Sequence, residues 1–151
     1  MIALIRRVIH AEVAVRGKTV ARAGYGILAL VAIEKQDTDT EMHRLAERLL
    51  NYRIFPDQDK KMNLSLCDIG GELLLVPQFT LAADTRKGNR PSFSAAAPPE
   101  KSRSMFEQFV GLMKCRHQQT KCGCFGEDMQ VSLTNDGPVT FLLQVASPTR
   151  Q

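Results

Sequence analysis

The stretch "GILALVAI", Gly26–Ile33, is a continuous apolar run of strand length. Because no polar residue interrupts it, both faces of the strand are expected to be covered, which is typical of a central strand. A second apolar run, "LLLVP", Leu73–Pro77, ends in a residue that has no N–H for a sheet ladder. Pro77 therefore predicts an edge, a bulge or a strand end. Main-chain amides released there, beside Thr80, are well placed to meet a ligand.

Two amphipathic helices are predicted. The first follows Thr38 and Glu41, whose spacing matches a capping box at a helix start. The second follows Pro98-Pro99, because proline is tolerated in the first turn of a helix. Each helix has one apolar stripe, which we assign to the core. The stripes comprise Met42, Leu45, Ala46, Leu49 and Leu50 in the first helix and Met105, Phe106, Phe109, Val110 and Met113 in the second.

The two ends of the chain are predicted to be β-structure. Strands are expected at residues 1–8, 12–15, 19–22, 129–134 and 139–146. Arg16-Gly17-Lys18 forms a hairpin turn, and Asn135-Asp136-Gly137-Pro138 has the residues of a turn between the last two strands. The predicted fold class is α+β: a single domain with a mixed, curved and partly barrel-like β-sheet and two packed helices.

The composition is that of an ordinary soluble globular protein, with 44% hydrophobic and 24% charged residues. No apolar stretch approaches the roughly 20 residues that cross a bilayer. The opening "MIALIRRV" places its charges after the apolar run, the reverse of a secretory signal. We therefore expect a cytoplasmic protein with no membrane partner. A net charge of +4 only weakly favours polyanionic partners.

Four candidate metal ligands, Cys115, His117, Cys122 and Cys124, lie within ten residues. Four sulfur or nitrogen ligands would suit a tetrahedral zinc site, but zinc knuckles pair ligands two to four residues apart on tight turns. Cys-x-Cys in a strand instead points both thiols to one face without a turn. We therefore favour reduced thiols and predict no metal or other cofactor. A zinc-dependent hydrolase stays as an alternative.

Two long stretches carry a family resemblance: "PQFTLAADTRKGNRPSFSAAAPPE", residues 77–100, and "NDGPVTFLLQ", residues 135–144. They closely resemble the signature motifs of the D-aminoacyl-tRNA deacylases, also called D-tyrosyl-tRNA(Tyr) deacylases. The opening "MIALIRRV", the segment "FGEDMQVSL" and the overall length also fit, so the resemblance implies one deacylase domain over residues 1–151. One departure is Pro77, where much of the family has serine. A serine side chain is therefore not essential to the chemistry of this chain.

The resemblance implies an editing hydrolase. Members of the family cleave the ester that joins a D-amino acid, or a misplaced glycine, to the terminal adenosine of tRNA. This chain has no Gly-x-Ser-x-Gly elbow and no motif that joins a histidine to a serine or cysteine. The family solution is RNA-assisted catalysis, in which the neighbouring ribose hydroxyl helps to activate water.

The catalytic groups that we expect are therefore mainly main-chain groups. The N–H groups of Phe79 and Thr80 are predicted to stabilise the oxyanion, and the side chains of Gln78 and Thr80 to position the substrate. The ring of Phe79 has an alternative, which is simple packing in the core.

Gly137-Pro138 is the expected source of chiral selectivity. In the family this pair is a glycine followed by a cis-proline, and it reaches from one subunit into the pocket of the other. Its carbonyls would clash with an L side chain but leave room for a D side chain or for hydrogen. The resemblance thus implies a symmetric homodimer with shared pockets. From the residues alone, an ordinary turn would be the expectation.

Basic residues are expected to contact the phosphates of tRNA. They are Arg86, Lys87 and Arg90 in the basic loop formed by residues 86–90, and Arg6 and Arg7 are expected to add to the same basic surface. Without the resemblance, a solvated loop would be the simpler interpretation.

Phe125 and Met129 are expected to form an apolar wall for the terminal adenine. The predicted partners are thus tRNA and a second copy of the chain, and not DNA. A non-catalytic RNA-binding module is the alternative function. The presence of both Gln78-Phe79-Thr80 and Gly137-Pro138 argues against that alternative.

Overall fold

Residues 1–146 are described by a computed structural model, in which they form eight strands and three helices. The strands are β1 (Ile2–Val15), β2 (Lys18–Ala23), β3 (Gly26–Ala32), β4 (Phe55–Pro56), β5 (Met62–Leu64), β6 (Glu72–Pro77), β7 (Thr120–Cys122) and β8 (Met129–Gln144). The helices are α1 (Asp39–Asn51), α2 (Leu66–Ile69) and α3 (Pro99–Arg116). The predicted α+β class is confirmed.

The strand β3 is central, as "GILALVAI" predicts. It pairs antiparallel with β1 and parallel with β6, and β6 is parallel to β7, so the sheet is mixed. Every residue of β3 except Leu30 is buried. Strand β6 ends at Pro77, so the second apolar run ends where its proline predicts.

One long strand replaces the two strands predicted at 1–8 and 12–15. β1 pairs with β8 along one edge for most of its length, while its other edge pairs first with β3 and then with β2. The sheet curls around this strand. A Cβ atom added to Gly123, just after β7, would lie 2.9 Å from the sulfur of Met129 and 3.6 Å from Val13. The two ends of the sheet thus approach each other, which gives the barrel-like form that was expected.

The predicted turn at Asn135–Pro138 is wrong. β8 continues through it in one direction, from Met129 opposite Val15 to Gln144 opposite Ile2. The register shifts between Arg6 and Val8 and again between Val8 and His10, so the extra residues of β8 form a bulge. Glycine, asparagine and aspartate suit a bulge for the same conformational reasons that they suit a turn, and the sequence pattern does not separate the two.

Both predicted long helices are present, and a third, short one was missed. α1 begins with the capping box of Thr38 and Glu41, and α3 has Pro99 in its first turn. The residues of both apolar stripes are buried in one core on one face of the sheet. α2 has only four residues, too few for a helical repeat of apolar positions. No helix within residues 1–146 is both long enough and apolar enough to span a membrane.

The capping box makes the stability of the fold depend on pH. Glu41 is buried and accepts hydrogen bonds from Thr38, at 2.6 Å from Oγ1 and 2.9 Å from N, and these bonds lower the pKa of the carboxyl group. Since its unfolded value is about 4.3, the charged box stabilises the protein above that pH. The stabilisation is lost as the pH falls through the lower, folded-state pKa.

We predict that Glu41→Gln lowers the free energy of unfolding by about 0.5–1 kcal/mol at pH 7, because an amide accepts hydrogen bonds more weakly than a carboxylate. The penalty should shrink below about pH 4. Urea denaturation of the wild type and of Glu41→Gln from pH 7 to pH 3 measures this difference in the free energy of unfolding. The exposed Glu47→Gln in the same helix is the control. A penalty that is constant over this range would contradict a role for the carboxylate charge.

Candidate active site

A cleft of about 690 Å³ opens where β3 and β6 end. This volume lies in the range of sites for small ligands. One side is formed by the strand ends and the residues that follow, another by the segment that leads into α3, and a third by the segment before β8. The lining residues of these three sides include Val31–Ile33 and Val76–Phe79, Phe93 and Ala96–Pro99, and Phe125–Glu127 with Met129. Most of the lining is apolar.

Main-chain N–H groups become free at the end of β6. The N–H of Gln78 donates to the carbonyl of Val31 at 2.7 Å, and a 3-10 helix, Phe79–Ala82, follows. The first N–H groups of a helical turn have no carbonyl partner within it. Within residues 1–146, the N–H groups of Phe79 and Thr80 have no backbone partner, as a main-chain oxyanion site requires.

The ring of Phe79 is not part of the core. It is 56% exposed, and its centroid lies 5.2 Å from that of Phe93. The core-packing alternative for this ring is therefore wrong. Phe93, which also lines the cleft, was missed as a site residue although it belongs to the same sequence motif as Phe79. An aromatic pair at the mouth offers apolar and stacking contacts to a ligand.

Among residues 1–146, no side chain is placed to act as an activating base for the hydroxyl of Thr80. It accepts a hydrogen bond from the side-chain amide of Gln78, and an amide does not remove a proton from a hydroxyl group. Gln78 and Phe79 line the cleft, whereas Thr80 lies immediately beyond the lining. The geometry therefore suits a supporting role for the Thr80 side chain rather than nucleophilic attack.

Phe125 and Met129 both line the cleft, as predicted for a wall of the site. The ring of Phe125 also packs against Phe106 of α3, with centroids 6.2 Å apart. Two charged residues of the lining were missed by the sequence analysis: Lys35, just after β3, and Glu127. Lys35 belongs to no recognisable local motif, whereas Glu127 lies in the segment "FGEDMQVSL", from which only Phe125 and Met129 were selected.

The basic loop is closed at its base by two backbone hydrogen bonds between Asp84 and Ser92. The N–H of Asp84 donates to the carbonyl of Ser92 at 2.7 Å, and the N–H of Ser92 donates to the carbonyl of Asp84 at 3.0 Å. Arg86 is held by the carboxylate of Asp84, with Nη2 2.6 Å from one oxygen and Nε 2.9 Å from the other. This contact places the pKa of Asp84 well below its usual range and raises the pKa of Arg86. Lys87 and Arg90 are exposed on the same loop, which leads directly into Phe93 at the cleft.

Arg6 and Arg7 lie on β1 and are not among the lining residues of the cleft. Arg7 is only 11% exposed: it donates to the carbonyl of Ile54 at 2.7 Å, and its Nε lies 2.9 Å from Asp136. Its guanidinium is thus engaged with the bulge of β8. Arg6 lies opposite Thr140 in the sheet and is partly buried.

Gly137-Pro138 is joined by a cis peptide bond and is exposed. Neither residue lines the cleft of its own chain. Gly137 has φ +117°, and a Cβ atom there would lie 2.7 Å from the side chain of Val139, so only glycine fits. The side-chain amide of Asn135 fixes the bulge by donating to the carbonyls of Arg7 and Val139, at 2.9 and 3.0 Å.

The four candidate zinc ligands do not converge. The Nε2 atom of His117 lies 2.7 Å from the carbonyl oxygen of Gly71, and Cys115 is exposed on α3. Cys122 is partly buried, and burial raises the pKa of its thiol, which opposes the thiolate form that zinc requires. Among residues 1–146, no group of three or more histidine, cysteine or carboxylate side chains could hold a metal ion.

Comparison with known proteins finds related chains. A family model described as D-Tyr-tRNA(Tyr) deacylase matches residues 4–144. A protein of Methylococcus capsulatus named D-aminoacyl-tRNA deacylase is 60% identical over 144 residues, covering 95% of this chain and 94% of that protein. One of Teredinibacter turnerae with the same name is 57% identical over 141 residues, covering 93% and 97%.

Two solved structures are similar to the fold. One is described as c-Myc DNA Unwinding Element Binding Protein, with a TM-score of 0.93 and 36% identity over 97% of this chain and all of that chain. The other, a probable eukaryotic D-amino acid tRNA deacylase, has a TM-score of 0.84 at 18% identity over 95% and 98% of the two chains, which shows a shared fold.

The fold and the cleft, together with these relatives, define an enzyme of the hydrolase class, as the sequence predicted. More particularly, the chain belongs to the D-Tyr-tRNA(Tyr) deacylase family. The resemblance carried by its two motifs is thereby confirmed.

Proposed function

We propose that the chain hydrolyses the ester bond between a D-amino acid and the terminal adenosine of tRNA, with mischarged glycyl-tRNA as a second substrate. The observation that carries this proposal is the end of β6. There, the free N–H groups of Phe79 and Thr80 adjoin an apolar cleft large enough for a nucleoside. Family membership supplies the substrate class. A cytoplasmic location stays a prediction from the sequence.

Catalysis relies on main-chain groups and on the substrate itself. The two N–H groups stabilise the negative charge that develops on the ester carbonyl, where one such donor contributes about 3–4 kcal/mol. The 2′-hydroxyl of the terminal ribose helps to activate water. This arrangement tolerates Pro77 in place of serine, because proline removes only its own N–H and leaves those of Phe79 and Thr80 in place.

Chiral selectivity comes from Gly137-Pro138 of a second subunit. Within the described residues the pair is exposed and lies outside its own cleft, which supports action on a neighbouring chain. Its carbonyls would stand beside the α-carbon of the substrate and exclude an L side chain. Glycine has no side chain to collide and is therefore accepted.

A row of apolar residues supports the homodimer. Leu142, Leu4 and Leu30 are directly opposite one another on β8, β1 and β3, on the face away from the helices, and the row continues to Val76 on β6. Leu142 is 57% exposed, whereas Val76 lines the cleft. A second copy seated on this row would therefore lie beside the cleft. A symmetric pair would complete both sites at once.

The tRNA end is held from two sides. Lys87 and Arg90 contact phosphates, and Arg86 joins them when it leaves Asp84. Phe125 and Met129 form the apolar wall for the terminal adenine. Arg7 is engaged with Asp136 and Ile54, which leaves it little capacity for phosphate, and Arg6 is not among the lining residues of the cleft.

We predict that the chain hydrolyses D-tyrosyl-tRNA at least about 100-fold faster than L-tyrosyl-tRNA, because a clash that costs 2.8 kcal/mol gives this ratio. Ester loss from matched, radiolabelled substrates measures it, with uncatalysed hydrolysis as the control. Tight binding of tRNA without turnover of either substrate would favour the non-catalytic RNA-binding alternative. Equal rates would contradict the proposed selectivity.

Thr80→Ala should lower kcat by less than about tenfold, since the N–H stays in place, whereas loss of a nucleophile costs about 10⁶-fold. A substrate that ends in 2′-deoxyadenosine should lose at least about 100-fold, the contribution of general base assistance. Single-turnover kinetics measures both effects, with the exposed Thr85→Ala as control. An inactive Thr80→Ala variant that still binds tRNA would contradict this mechanism.

Leu142→Asp is predicted to convert a dimer to a monomer, because it places a charge on the most exposed apolar residue of the proposed interface. Activity should fall at least about tenfold while the unfolding midpoint of the monomer is retained. Sedimentation velocity and the deacylation assay measure these effects. Met62→Asp, on the exposed strand β5, is the matched control. A monomeric wild-type protein with full activity would refute the shared site.

A further inference from the structure

Arg103 of α3 lies over an aromatic ring at the edge of the cleft. Its guanidinium carbon is 4.9 Å from the centroid of Phe125, a lining residue. The adjacent Gly126 has φ +81°, and a Cβ atom there would lie 3.0 Å from Nη2 of Arg103. The glycine thus leaves the space that the guanidinium occupies. Neither the sequence motifs nor the proposed function assigns Arg103 a role.

The charge of Arg103 is not neutralised by the protein. Within residues 1–146 it makes no ion pair, although Glu100 and Glu107 lie one helical turn away on either side. Glu127 is the one carboxylate among the lining residues of the cleft, and Arg16 lies 3.5 Å from it. An exposed guanidinium, oriented by an aromatic ring and without an acidic partner, is suited to an anionic ligand.

We infer that Arg103 binds the phosphodiester that joins the terminal adenosine of tRNA to the preceding nucleotide. The inference rests on the proposed function, in which Phe125 contacts the adenine. The nucleotide before the adenosine must then leave the cleft past this edge. Its phosphate meets Arg103 on one side, while the basic loop of Lys87 and Arg90 adjoins Phe93 on the other. The single-stranded end of the RNA thus runs between two groups of cations.

Stacking on Phe125 prepares the guanidinium for this contact. It fixes the plane of the group and leaves the N–H donors at its edge free to bind two phosphate oxygens. Little side-chain freedom then remains to be lost on binding. A lysine at this position would keep the charge but lose both the stacking and the paired donors.

The experiment compares wild type and Arg103→Ala on three esters: D-tyrosyl-tRNA, D-tyrosyl-cytidylyl-(3′,5′)-adenosine and D-tyrosyl-adenosine. The dinucleotide contains the one phosphodiester in question, and adenosine contains none. The variant should raise KM about tenfold for the first two substrates with kcat changed less than about twofold, and leave the third unchanged. The slope of log KM against log salt for tRNA should fall by about 0.7, the value for one phosphate contact in a single strand.

Two control variants sharpen the comparison. Arg103→Lys should keep the salt slope but bind the dinucleotide more weakly than wild type. Arg44→Ala, which removes an exposed arginine on α1 away from the cleft, should change none of these values. Thermal unfolding of each variant reports whether the fold is retained.

Equal losses on all three substrates would overturn the inference, because Arg103 would then only shape the wall of the cleft. No loss on any substrate would also overturn it. If wild type hydrolyses none of the three, the proposed function fails, and binding of the trinucleotide CCA then tests the contact. Equal affinity of wild type and Arg103→Ala for CCA would refute it, and a weaker affinity of the variant would support it.

Discussion

The hydrogen bond from Gln78 N to the carbonyl of Val31 is the last of the ladder between β3 and β6, and the cleft exists because the ladder stops there. Pro77 can donate no bond, and the chain enters a 3-10 helix after Gln78. Two consecutive N–H groups, those of Phe79 and Thr80, then have no sheet or helical partner in the described part of the chain. In a water-filled groove such groups would simply be hydrated, but beside an apolar lining they are available to an oxyanion.

Under the proposed mechanism the site is made of main-chain groups, and this determines which residues must be kept. The side chains at positions 77 and 80 can vary without removing the N–H groups of Phe79 and Thr80, so a proline at position 77 is compatible with such a site. What must be kept is the backbone path, since a displaced strand end would misplace both donors together. The path is fixed by the buried strands β3 and β6, which lie in the interior of the sheet and have little freedom to move.

Sequence patterns predicted the elements whose causes are local. The apolar run at Gly26–Ile33, the capping box at Thr38 and the stripes of α1 and α3 each depend on neighbouring residues. The bulge in β8 was mistaken for a turn because Asn135, Asp136 and Gly137 favour both, and only pairing with β1 decides between them. The exposure of Phe79 and the place of Arg103 depend on contacts between distant segments, which no local pattern contains.

Under the proposed mechanism, selectivity by exclusion requires a rigid barrier. A D and an L side chain are equal in size and differ only in direction. If the barrier could move aside for 1.4 kcal/mol of free energy, the L form would be disfavoured only tenfold. The bulge that presents Gly137-Pro138 is held by several contacts. Asn135 donates to the carbonyls of Arg7 and Val139, and Arg7 joins Asp136 to the carbonyl of Ile54 beyond α1. Under this mechanism, the contacts of Arg7 with Asp136 and Ile54 contribute to the rigidity of the barrier.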